Sequence, residues 1–130
     1  MTVTSYLLLS VALFFVMILF QSLTGIKQFG LAPLAGSRDN LGAEPGVVQS
    51  RAKRASANMI ENMTLFVPLA LVAIHSGTEG LALKGAALFF FARVAYAPLY
   101  WLGVPWLRPV AWGLSIVGMI MMFIALLPLI

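Results

Sequence analysis

Arg51-Ala52-Lys53-Arg54-Ala55-Ser56-Ala57-Asn58-Met59-Ile60-Glu61-Asn62-Met63-Thr64-Leu65-Phe66 is the stretch on which the reading of this chain turns. Arg51, Arg54, Asn58 and Glu61 follow one another at spacings of three, four and three, so on an α-helix they share one face. The segment then continues as Val67, Pro68, Leu69, Ala70, Leu71, Val72, Ala73 and Ile74, which is membrane-grade sequence. A charged stripe therefore enters a bilayer span. Ionisable groups at that depth are costly unless they face other helices, water or a ligand, which makes the stripe a candidate functional site. Glu61 weighs most, because an acid well inside the helix does not report orientation and needs a partner.

The totals agree. Of 130 residues, 62% are hydrophobic and 9% charged, whereas soluble domains are roughly 45–50% apolar and about 25% charged. An integral membrane protein with almost nothing outside the bilayer is the class these values select. The formal charge is +4. Its basic residues flank apolar spans instead of forming a solvated patch, so they read as topology signals and anion ligands, and no nucleic acid is expected as a partner. There is no cysteine. Disulfides, thiolate metal sites and cysteine nucleophiles are excluded, no metal site is expected, and any thiol chemistry requires a thiol that is brought in.

Four helical spans are expected, at residues 4–27, 47–75, 81–101 and 109–128, in a single domain over residues 1–130. The first reads as a retained transmembrane helix and not as a signal peptide, having no basic segment before it. Residues 28–50 carry Gly30, Pro33, Gly36, Gly42, Pro45 and Gly46 and read as the longest loop. Within it, Arg38 and Asp39 form a solvated turn or reach over a nearby cavity. Pro68 should kink the second helix, and His75 reads as an interfacial polar residue. In the third helix Arg93, Tyr96 and Tyr100 again share a face.

Such spans with short connections make an all-α, up-down-up-down four-helix membrane bundle the natural architecture. Lys27, Arg38, Arg51, Lys53 and Arg54 surround the first loop and Arg108 lies in the third, while the second has only Lys84 and Glu79 nearby. The first and third loops are therefore expected to be cytoplasmic. That topology brings the two polar stripes to the same end of the bundle.

Set against Arg51, Arg54, Arg93 and Arg108 there is one membrane-embedded acid, Glu61. A matching ligand is a small, multiply charged anion that also carries a cationic group: arginine forks take carboxylates and Glu61 takes an ammonium. Glutathione has that chemistry and a thiol besides. Phosphorylated headgroups and nucleotides also suit arginines.

The run Arg54-Ala55-x-x-Asn58-x-x-Glu61, preceded by Arg51 and followed by an apolar helix, resembles the signature of the membrane-associated proteins in eicosanoid and glutathione metabolism, the MAPEG family. Ala92-Arg93-x-x-Tyr96-x-x-x-Tyr100 and Arg108 extend the likeness over essentially the whole chain, here to a bacterial-type member. The resemblance implies a homotrimer with glutathione as thiol co-substrate, bound between adjacent subunits near the cytosolic side. It implies Arg51, Arg54, Asn58, Glu61, Arg93, Tyr96 and Tyr100 as binding residues and Arg108 as the catalytic residue that stabilises the thiolate. The expected activity is that of a glutathione transferase or peroxidase acting on hydrophobic small molecules that arrive among the membrane lipids, in a bacterial inner membrane. Ser50, Ser56 and Asn62 differ from the residues many members carry.

The alternative is a catalytically silent member acting as a lipid-binding or scaffold protein. A proton or ion transporter using Glu61 as a relay ranks last, because the chain lacks the broken-helix pairs and repeats of such proteins. Three blander readings stand beside these: Lys53 as a topology signal only, Glu61 in an ion pair with Arg54 or Arg93, and Tyr96 and Tyr100 as an aromatic belt with Trp101 and Trp106.

Overall fold

Helix caps mark where the apolar runs begin and end. The structure is a computed structural model and describes residues 1–37 and 46–130. Helix α1, Val3–Phe29, opens with a capping box in which Thr2 Oγ1 accepts from the Ser5 amide and Ser5 Oγ accepts from the Thr2 amide. It is followed by a short helix α2, Leu31–Ala35, then α3, Val47–Ser76, α4, Leu81–Leu102, and α5, Leu107–Leu126, which ends in a 3-10 turn at Leu127–Leu129. Helices α3 and α4 both stop on a glycine in the left-handed region, Gly77 (φ 68°) and Gly103 (φ 72°). Each closes with paired hydrogen bonds back to the last turn, the Schellman arrangement that needs a residue without a Cβ.

Four of these helices, α1, α3, α4 and α5 with its 3-10 turn, are long and apolar enough to cross a membrane. Among the described residues there is no strand. The chain is an all-α, four-helix integral membrane protein. With its 30 residues, α3 is about 45 Å long, longer than a hydrocarbon core of about 30 Å. It stays helical through Pro68, as α4 does through Pro98.

The expected 28–50 loop is shorter than its glycines and prolines indicate. Helix α1 runs to Phe29, and α2 follows directly after Gly30. Pro33 lies in the first turn of α2, where a missing N–H removes no helical hydrogen bond. Arg38 and Asp39 lie outside the described residues.

Side-chain contacts fix the topology. Thr24 near the end of α1 donates to Gln49 near the start of α3. Arg54 of α3 donates to Tyr100 near the end of α4, and Arg108 at the start of α5 lies over the same ring. These ends therefore sit together, as an up-down-up-down order requires. Helices α3 and α4 form the middle, with α1 packed on both from one side and α5 from the other; among the described residues the backbones of α1 and α5 do not approach each other closely. The core is built from small residues, methionines and the stacked pair Phe66–Phe89, whose ring centres are 4.0 Å apart. Leu8, Phe15, Leu19 and Leu23 on α1 face outward, as a lipid-facing surface does.

The tightest seam joins α4 to α5. A Cβ on Gly85 would lie 2.5 Å from the Gly118 carbonyl oxygen, and one on Gly118 would lie 2.6 Å from that of Gly85. The two backbones touch there, the usual way helices approach closely when hydrocarbon surrounds them.

Candidate functional site

Helix α3 buries a stripe of Ala52, Ala55, Ser56, Met59, Asn62, Met63 and Phe66 against its neighbours. Arg51 and Asn58 are half-buried at the margin of that stripe, and Arg54 and Glu61 are exposed beside it. Where α5 stands off from this margin, a cleft of about 420 Å³ opens. Asn58, Glu61 and Asn62 of α3, Tyr96 of α4, and Arg108, Pro109, Trp112 and Ile116 of α5 line it together with Leu65. Its size falls within the range of small-molecule sites, roughly 300–1,000 Å³.

Arg108 also lines a second cavity of about 330 Å³ nearer the helix ends, with Arg51, Arg54, Tyr100, Gly103, Val104 and Pro105. Arg54 Nε donates to Tyr100 Oη at 3.1 Å, and the guanidinium carbons of Arg54 and Arg108 lie 5.9 and 4.8 Å from the Tyr100 ring centre. The ring's π-face and its hydroxyl oxygen help to hold these like charges close. Arg51 Nη1 lies 3.5 Å from the Trp101 carbonyl oxygen, a cation against the negative end of α4. Gly103 makes room for it: a Cβ there would fall 2.5 Å from Arg51 Cζ.

The sequence-derived residues thus divide. Asn58, Glu61, Tyr96 and Arg108 meet in the deeper cleft; Arg51, Arg54 and Tyr100 meet in the outer cavity, and Arg108 belongs to both. Arg93 is set apart, fully buried behind the wall with Nη1 donating to Asn58 Oδ1 at 2.8 Å. Tyr96 is 1% exposed, so it does not stand in an outward aromatic belt. Among the described residues Glu61 forms no ion pair with Arg54 or Arg93, whose partners are Tyr100 and Asn58. Lys53 lies elsewhere, in a cavity of about 230 Å³ with Gln21, Ser22 and Gln49.

Two further residues line the cleft: Asn62, noted in the sequence only as a departure from many family members, and Trp112, which escaped the sequence reading. Asn62 donates through Nδ2 to the Asn58 carbonyl oxygen at 2.8 Å and to Asn58 Oδ1 at 3.2 Å. Trp112 lines the cleft one turn after Arg108. Both stand at i+4 from a residue already singled out, which is the signal that finds them. Below the cleft, an apolar groove of about 460 Å³ continues along α3 and α5 past the shared residues Leu65 and Ile116. The whole offers an acceptor at Glu61, donors at Asn58 and Arg108, a cationic mouth and an apolar floor.

A family model described as the MAPEG family matches residues 6–128 of the chain. No curated protein and no solved structure matches it.

Proposed function

We propose, from the premise that this chain belongs to the MAPEG family, that it binds glutathione in the α3/α5 cleft and uses it to conjugate or reduce lipophilic substrates. One observation carries the reading: Glu61, an acid without a partner among the described residues, shares a single cavity with Asn58, Tyr96 and the guanidinium of Arg108. That donor and acceptor set fits a zwitterionic tripeptide. Glu61 would hold the ammonium, and Asn58 and the outer pair Arg51 and Arg54 would hold carboxylates.

Glutathione, when bound, supplies a thiol whose ionised form is the nucleophile. Arg108 lies where the cleft and the outer cavity join, and a guanidinium there favours the thiolate over the thiol. Tyr100 keeps Arg54 and Arg108 oriented. The groove past Leu65 and Ile116 would take an apolar substrate entering from the bilayer, and orienting both reactants supplies part of the acceleration.

The proposed assembly is a homotrimer, with the first and third loops cytoplasmic and the chain in a bacterial inner membrane. The exposed position of Glu61 on the protomer suits a site that a neighbouring subunit completes. The test is glutathione-dependent conjugation of a hydrophobic electrophile by the purified protein. Arg108→Ala should lower kcat about a hundredfold, as loss of a charge-stabilising donor does, and change glutathione affinity much less. Turnover unchanged in Arg108→Ala removes the activator role; binding without turnover in the parent protein supports a silent, lipid-binding member.

A further inference from the structure

We infer that Arg93 is a positioning residue and not a ligand contact: from behind the cleft wall it locks Asn58 so that the Asn58 amide NH2 faces the cavity as a donor. This rests on the glutathione reading for its ligand, and on geometry for the lock itself.

Arg93 is 0% exposed, so none of its surface reaches the cleft of the protomer. A guanidinium can only donate. The Asn58 atom 2.8 Å from Arg93 Nη1 is therefore the oxygen, and the amide cannot turn over without setting donor against donor. Asn62 enforces the same state, its Nδ2 reaching both Asn58 Oδ1 and the Asn58 carbonyl oxygen. With Oδ1 engaged twice, Asn58 Nδ2 is left without a partner among the described residues, on a side chain that lines the cleft. The cavity therefore meets Asn58 as a donor, three residues before the acceptor Glu61.

The guanidinium is itself held by rings, its carbon 4.6 Å from the Tyr96 ring centre and 5.8 Å from that of Phe89. Nε and Nη2 are buried without a hydrogen-bond partner among the described residues. A cation at the back of Asn58, with no acid paired to it among the described residues, polarises the amide and strengthens the donor on its far side. A residue kept only for packing would do better as methionine, because removing a buried charge that lacks a counter-ion costs nothing in electrostatics. The position of the charge, pressed on the one oxygen that sets the amide's orientation, is what a ligand-orienting role requires.

The experiment is a double-mutant cycle on the detergent-solubilised full chain, read by thermal unfolding without ligand and by calorimetric titration with glutathione. Asn58→Asp should melt at or above the parent, because a carboxylate now faces Arg93, and yet bind glutathione about tenfold more weakly for want of the donor. Arg93→Met should weaken glutathione about fivefold in the parent background and have no further effect in Asn58→Ala. Arg93→Lys, which keeps a donor and the charge, should restore part of the loss. Equal losses from Arg93→Met in both backgrounds, or parent-like binding by Asn58→Asp, overturns the inference. If the parent protein does not bind glutathione, the functional reading falls separately, and the lock is decided by the melting arm: Asn58→Asp must be tolerated at no loss of melting temperature in the parent and lower it in Arg93→Met, where the carboxylate has lost its cation.

Discussion

Helix α5 makes two seams of opposite character. Against α4 it closes to backbone contact through Gly85 and Gly118; against α3 it stands off, leaving the polar cleft and, below it, the apolar groove. The closed seam is lined by small residues and methionine, whereas the open one carries Asn58, Glu61, Arg108 and Trp112. In a hydrocarbon solvent helices gain little by hiding apolar surface from each other, so packing of small residues decides where they close. Polar side chains that line a shared cavity mark where they do not. Stability should thus reside in one seam and ligand chemistry in the other.

Gly118→Leu should break the comparison most visibly. Its Cβ alone would meet the Gly85 oxygen at 2.6 Å and the Phe89 nitrogen at 2.8 Å, backbone atoms that cannot step aside. A loss of about 3 kcal/mol is expected, at the upper end for overpacking, seen as a lowered unfolding midpoint in detergent. Glu61→Gln tests the other seam. Having no partner among the described residues, Glu61 should leave the midpoint unchanged when neutralised, while glutathione affinity drops about tenfold with the loss of a charge-assisted contact.

A smaller effect is expected at Tyr100→Phe, which removes the acceptor for Arg54 Nε but keeps the ring near both guanidiniums. Affinity should fall about threefold to fivefold, the value of one hydrogen bond, measured by the same titration. Gly113→Leu, on the same helix as Gly118, should do least. A Cβ there meets nothing within 4 Å, and a change within about 0.5 kcal/mol is expected.

These contrasts also show what can be read before any fold is known. The four spans are visible because each is a long apolar run. The spacing of Arg51, Arg54, Asn58 and Glu61 gives a shared helical side, but cannot say that the outer two residues and the inner two belong to separate, adjoining cavities. Arg93 looks the same in sequence whether it faces a cleft or the core; only its packing against Tyr96 and Phe89 distinguishes the two. The Gly85–Gly118 contact joins single glycines on different helices, and periodicity within one helix carries no information about it. Helix α2 was hidden by its flanking glycines and Pro33, residues that interrupt a helix in its middle and are harmless at its ends.

The most direct measurement is a calorimetric titration of the detergent-solubilised protein with glutathione and with a sulfur-free analogue, repeated on Arg54→Ala and Glu61→Ala. Saturable binding of glutathione by the parent, lost in both variants while each still unfolds cooperatively, is the predicted result. Undiminished binding in both variants would contradict the placement of the ligand between α3 and α5.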